Sequence, residues 1–222
     1  MGSDRDFLGG KLLIATPNMG DARFERTVIL MCTHDERHAM GVIVNKPMKN
    51  IDLADLIEKS EIDKKVAMKN SPVFFGGPVS PEKGLVVHTL DYQTEGTIKI
   101  SERLGVTVSR TILEDILIAQ NTMPDANIGL SEIPFGLNYD QRPSSEHPSL
   151  YRLVAGHAGW GAGQLEAEIA ANAWAHCDAD DTLIFSDDGN SVWQSAFNSL
   201  GVTEAMFSPA WSSTRNANTL LN

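Results

Sequence analysis

The stretch Gly156-His157-Ala158-Gly159-Trp160-Gly161-Ala162-Gly163-Gln164-Leu165-Glu166-Ala167-Glu168-Ile169 places four glycines and a tryptophan within eight residues and then becomes amphipathic. Glycine serves where φ must be positive or where another backbone comes close. The run is therefore expected to form a shaped glycine-rich turn. It would join an apolar strand at 151–155 (YRLVA) to a helix with Ala162, Leu165, Ile169 and Ala173 on one face. A strand, a glycine turn and a helix in that order invite a phosphate-binding reading. The letters do not fit one. A G-x-G-x-x-G frame from Gly159 puts Gln164 at the third glycine, and a frame from Gly161 puts Glu166 there. A P-loop frame from Gly156 meets Ala162 and Gly163 in place of Lys and Ser or Thr. Glu166 and Glu168 also sit at the positive helix end, where they would repel a phosphate.

Working outward, 27–33 (TVILMCT) and 40–45 (MGVIVN) read as a strand hairpin across the polar THDERH, with Pro47 ending the second strand. Further short strands are expected at 11–16, 72–75, 85–90, 96–101 and 182–186, the pair 85–90 and 96–101 joined by a polar loop. Asp52 would cap a helix with Leu53, Leu56 and Ile57 inward. Ser109 would cap another, with Ile112, Leu113, Ile116, Leu117 and Gln120 at helical spacing. Ser191 or Asn190 would cap a last helix that buries Val192, Trp193, Ala196, Phe197 and Leu200 and ends at Gly201. Residues 123–150 hold Pro124, Pro134, Pro143 and Pro148, which predicts a long surface excursion. Residues 208–222 read as a frayed tail, and 7–207 as one domain.

The 222 residues carry a net charge of −11, which opposes direct binding to nucleic acid or an anionic membrane surface. No apolar run approaches a membrane span, and the N-terminus lacks the layout of a secretory signal, so a cytoplasmic protein is expected. Two cysteines, Cys32 and Cys177, make no disulfide framework and suit a reducing compartment.

Cys32, His34 and His38 form a C-x-H-x-x-x-H run whose donors suit zinc chemically. Cys32 and His34 would share a strand face, but His38 lies across a turn and no fourth ligand is near, so the expectation is no metal and no cofactor. A nucleophilic thiol needs a base within reach, and only His34 or His88 could serve Cys32. The surroundings of Cys32 argue for burial. The acids around Cys177 (HCDADD) would raise its pKa.

Six fragments in order resemble the YqgE/AlgH family of bacterial proteins. They are GGKLLIATPNMGDARFERTVILMCTHD (9–35), GVIVNKP (41–47), VFFGGPVS (73–80), VVHTL (86–90), VSRTILEDI (108–116) and AGWGAGQLEAEIAANAW (158–174). The resemblance implies a single α/β (α+β) domain in which a bent mixed sheet forms a flattened, barrel-like body with helices packed outside. It also implies a regulatory protein, since AlgH-type members are described as regulators of transcription in exopolysaccharide synthesis. No DNA-reading helix-turn-helix is legible, so such regulation would be indirect, through an unknown small molecule or protein partner. His157 and Ala162 depart from the family pattern, which has an aromatic and a proline there. The matching residues that packing explains least are Asn45, Lys46, Gly76, Gly77, Pro78, His88, Trp160 and Gln164, and these are the candidate ligand site. An enzyme built on Cys32, His34, His88 and Lys46 is the alternative, and a direct DNA-binding regulator ranks below it. Convergence of those four side chains would favour the enzyme, and dispersal the binding protein.

Overall fold

The computed structural model describes residues 7–52, 71–122 and 146–201. The strands are β1 (Lys11–Ala15), β2 (Val28–His34), β3 (His38–Ile43), β4 (Pro47–Asp52), β5 (Pro72–Phe75), β6 (Val79–Thr89), β7 (Ile98–Lys99), β8 (Leu104–Thr107), β9 (Tyr151–Gly161) and β10 (Trp174–Asp178). The helices are α1 (Arg110–Thr122), α2 (Gln164–Ala170), α3 (Asp181–Ile184) and α4 (Gly189–Ser199).

β9 is the spine. Its sheet runs β10-β1-β2-β3-β9-β6-β8-β7, and β5 and β4 branch from it. Along one edge β9 pairs antiparallel with β3 through Ala158–Gly161 and parallel with β5 through Leu153–Ala155. Along the other it pairs antiparallel with β6. The sheet is therefore mixed, and it curls where one edge passes from β5 to β3.

That point is Gly156, and it corrects the reading of the glycine run as a turn. Residues 156–161 are strand, and only Gly163 (φ 72°) turns the chain into α2. Gly156 has φ 76°, a left-handed conformation that side chains disfavour. One residue of that kind in a strand reverses the side-chain alternation. Leu153 and Ala155 precede it and Ala158 and Trp160 follow it, odd numbers then even, yet neither pair joins the cluster that holds Val154.

Alternation sorts the core into faces. Leu12, Ile14, Leu30, Val42, Val87 and Val154 point to one face, where α4 covers them with Val192, Trp193, Ala196 and Phe197. Fully burying an aromatic such as Phe197 stabilises by about 2 kcal/mol. Leu13, Ile29, Ile43, Ala158 and Trp160 point the other way under Leu165 of α2, and Val73, Val86, Leu153 and Ala155 under Ile112, Ile116 and Leu117 of α1.

Several local expectations need correction. Pro47 begins β4 rather than ending a strand, and Asp52 is the last residue of β4; Leu53, Leu56 and Ile57 lie outside the described residues. The 85–90 strand starts earlier, at Val79. Only Ile98 and Lys99 of 96–101 are strand, and they pair with the unanticipated β8, not with β6. α2 stops at Ala170 because Asn172 adopts φ 58° and the next two amides close on the last turn (Asn172 N–H to Ile169 O, 2.9 Å; Ala173 N–H to Glu168 O, 2.9 Å). The residues after this turn form β10 against β1, a strand that the sequence did not announce. Residues 182–186 contain α3 instead of a strand. Asp180 accepts from the Thr182 amide (2.8 Å) and hydroxyl (2.6 Å), and this cap outweighs the β propensity of TLIFS. Asp188, not Asn190 or Ser191, caps α4. Ser109 caps α1 as expected, accepting from the Thr111 amide at 3.3 Å. Of the stretch 123–150 expected as an excursion, residues 123–145 lie outside the described residues, as does the tail at 208–222, and Leu150 at its end is buried. Among the described residues no helix is long and apolar enough to cross a membrane.

Candidate functional site

Asn45 follows β3 and is buried at 3% exposure. Its Oδ1 accepts from the Val28 amide at 2.8 Å, and its Nδ2 donates to the Arg26 carbonyl at 2.9 Å and the Gly189 carbonyl at 3.2 Å. The amide is thus spent joining β2 to the start of α4. Lys46, next in the chain, is half-buried; its carbonyl accepts from the Phe75 amide at 2.8 Å, and its ammonium makes no hydrogen bond among the described residues. Burial lowers its pKa, the Glu25 carboxylate raises it, and the Arg26 guanidinium lowers it again. Arg26 lies over the Trp193 ring at 4.7 Å.

Gly76, Gly77 and Pro78 cross β9 at its bend. Gly76 N–H donates to Ala155 O (2.8 Å), and Gly76 O accepts from Ile43 N–H (2.9 Å). A Cβ at Gly76 would overlap the Gly156 carbonyl, and one at Gly77 (φ 149°) would overlap the His157 backbone. Backbone presses on backbone here, so two of the three candidates are held by close approach.

Trp160 and Gln164 belong to a second locus. Trp160 Nε1 donates to Glu168 Oε2 at 2.9 Å, and Trp174 Nε1 donates to the same oxygen at 2.8 Å. The two indoles meet edge to face at 6.0 Å. Gln164 donates to Glu168 Oε1 (2.9 Å) and accepts from Gly161 N–H (3.1 Å). Glu168 gathers three donors, and sequence reading gave it only a helix-end role. Its i, i+4 spacing from Gln164 was the available signal.

His34 lies nearby. Its Nδ1 accepts from Leu8 N–H (3.0 Å), so Nε2–H donates to Glu166 (3.2 Å), and Phe7 meets the ring at 5.3 Å. Cys32 does not share its face. The β2–β3 register shifts between Met31 and Thr33. Cys32 joins the core under α4, whereas His34 reaches α2 on the opposite side. Burial pushes the Cys32 thiol up to about 12. Burial raises the Cys177 thiol too, with Asp178 and Asp180 adding to the effect. Among the described residues no three His, Cys, Asp or Glu side chains are grouped to hold a metal ion.

His88 is fully buried on β6, at a third locus. Its Nδ1–H donates to the Thr89 carbonyl (2.9 Å), and Nε2 accepts from the Thr97 hydroxyl (3.2 Å). Burial lowers its pKa, opposed by the Thr89 bond and the Asp91 charge. Tyr92 meets the ring edge to face and donates to Asp115 Oδ2 at 2.6 Å. Burial, chiefly, pushes the Tyr92 phenol up to about 12.

Sequence reading also missed Arg152. It is the one charge within the apolar YRLVA run, which was the available signal. Its side chain is 2% exposed, and its guanidinium stacks 3.7 Å from the Phe74 ring centre. Nη2 donates to the Ser186 carbonyl at 2.7 Å, while Nε and Nη1 have no acceptor among the described residues. Asp187, 4.0 Å away, is 89% exposed.

A curled mixed sheet with helices on both faces, its reactive side chains held in separate parts of the core, defines a single-domain α/β protein. The chain belongs to the AlgH-like family, whose model matches residues 12–130 and 138–205. It is 38% identical over 203 residues to a UPF0301 protein of Jannaschia sp. (strain CCS1), covering 90% of this chain and 92% of the relative. A UPF0301 protein of Bradyrhizobium diazoefficiens is 38% identical over 216 residues, covering 93% and 88%. The solution structure of the AlgH protein from Pseudomonas aeruginosa superposes with a TM-score of 0.67 at 28% identity, covering 93% of this chain and 96% of that one. A Corynebacterium diphtheriae protein shares the fold at a TM-score of 0.60 and 20% identity, each chain covered to 90%.

Proposed function

We propose that this chain is a non-catalytic regulatory protein of the cytoplasm, acting indirectly on gene expression by binding a small molecule or a protein partner. The observation that carries this reading is dispersal. Cys32, His34, His88 and Lys46 share no hydrogen bond, ion pair or ring contact with one another, and Cys32 and His88 are sealed in the core. General acid–base or nucleophilic chemistry needs such groups within hydrogen-bond reach. The net charge of −11 supports an indirect route over direct DNA contact. The regulatory part of the reading rests on the resemblance to AlgH-type proteins, which is kinship and not chemistry. Of the candidate site residues, Lys46 has an ammonium left to offer a ligand, whereas Asn45, Gly76, Gly77, His88, Trp160 and Gln164 serve the fold.

Native mass spectrometry of gently purified protein, set beside its denatured mass, tests the proposal. A non-covalent added mass whose occupancy falls in Lys46→Ala supports it. A bare mass together with turnover of a substrate that depends on His88 or Cys32 overturns it in favour of an enzyme.

A further inference from the structure

Arg152 combines three properties that a purely structural arginine does not need together. The first is burial without satisfaction. A guanidinium has five N–H donors in a rigid plane. Here Nη2 donates to the Ser186 carbonyl, while Nε and Nη1 find no acceptor among the described residues. Buried donors are almost always paired, so an unpaired set calls for a cause.

The second is the shape of what remains. The plane offers two bidentate edges, one formed by Nε and an Nη nitrogen and one by the two Nη nitrogens. The two edges use different hydrogens of Nη2. A single carbonyl occupies one of these, so a complete two-donor edge stays open whichever hydrogen Ser186 takes. The Phe74 ring covers a face of the plane, and Nε and Nη1 are themselves shielded from solvent, so the unpaired edge is a buried one.

The third is charge. The carboxylate that pairs with it among the described residues, Asp187, stands 4.0 Å off on the exposed loop between α3 and α4, beyond hydrogen-bond reach. The neighbouring acids are committed elsewhere: Asp181 to Arg103, and Asp180 and Asp188 to helix caps. Among the described residues the buried cation is therefore paired only at long range, with an exposed carboxylate.

We propose that Arg152 is an oxyanion-binding residue, and that the ligand presents a carboxylate or phosphate group to the open edge of its guanidinium, beneath the loop that carries Ser186 and Asp187. This names a ligand class for the binding role proposed above and rests on that role. Asp187 is the gate charge. Its exposed carboxylate lies close enough to compete for the edge, and an arriving anion displaces it toward solvent.

The test titrates the full-length protein with inorganic phosphate and, separately, acetate, at ionic strength held constant with sodium chloride. The readouts are the Arg152 Nε–H resonance and the melting temperature. A saturable shift of that resonance is expected, with a rise of about 3 °C for each tenfold excess of anion over its Kd. Response to phosphate alone assigns a phosphoryl ligand, and response to both a carboxylate-sized oxyanion. Arg152→Lys keeps the charge and loses the fork, so the stabilisation should vanish. Asp187→Asn removes the competitor and should tighten binding by about two- to fivefold. An unmoved Nε–H resonance at saturating anion, or equal stabilisation of Arg152→Lys, overturns the proposal. If Arg152→Lys fails to fold, the wild-type resonance and Asp187→Asn still decide it. A copurifying mass with no response at Arg152 overturns the anion site and leaves the binding role intact.

Discussion

Replacing Asn45 by alanine separates a structural role from a ligand-binding one. The side chain makes three hydrogen bonds, at 2.8, 2.9 and 3.2 Å, to the backbone of Val28, Arg26 and Gly189. Each is worth about 1 kcal/mol net, and buried partners left unpaired cost more. Asn45→Ala should therefore lose about 3–5 kcal/mol. For a domain of this size, each kcal/mol lowers the melting temperature by about 2–4 °C, so the expected fall is about 6–20 °C. Calorimetry and urea unfolding with an unchanged m-value would measure it. Asn45→Asp sharpens the test, because an isosteric carboxylate still accepts from Val28 but confronts the Arg26 and Gly189 carbonyls. That repulsion raises the folded-state pKa of the new acid above its unfolded value near 4. Stability is then greatest below that value and is lost as pH rises through the folded pKa, so the variant should recover on acidification relative to wild type. A melting temperature for Asn45→Ala within about 2 °C of wild type would refute the reasoning, for it would mean that the amide is not holding β2 to α4.

Three further outcomes are expected. Gly77→Ala forces a Cβ into the His157 backbone at φ 149° and should cost about 3 kcal/mol or more by urea unfolding; a variant as stable as wild type would show that the loop and β9 do not press together. The Cys32 thiol, pushed up to about 12 by burial, should alkylate with iodoacetamide at mildly alkaline pH no faster than the protein opens, and rapid labelling of folded protein would contradict that burial. Burial depresses the His88 pKa in the folded state, so stability should hold above about 6.5 and decline as pH falls below it. His88→Gln should flatten that decline in urea midpoints taken at neutral and mildly acid pH, and an unchanged slope would place the proton uptake elsewhere.

Much of the architecture was legible locally. β1, β2, β3 and β5 lie where apolar, β-branched runs are bounded by turn residues, and the buried faces of α1 and α4 follow the helical period. Those signals are set by neighbours in the chain. What misled were residues whose local preference was outvoted. Residues 157–161 look like a turn because glycine is free to turn, and the flanking strands β3 and β6 hold them in the sheet. Residues 174–178 carry no strand signal strong enough to be read locally, and β1 supplies the edge with which they pair.

The same division runs through the candidate site. The family motifs, the single domain and the absence of a phosphate loop were present in the order of the residues. The fate of each polar side chain was not, because a hydrogen bond between Asn45 and Gly189 spans 144 positions and its energy depends on geometry that no local pattern encodes. By itself the sequence determined the family, the α/β class and the burial of Cys32. Tertiary structure alone placed the Asn45 amide against Val28, Gly77 against the His157 backbone and the Trp160 indole on Glu168, and buried Arg152 with donors unpaired among the described residues. Packing density and the desolvation of polar groups belong to the assembled core and not to any segment of the chain.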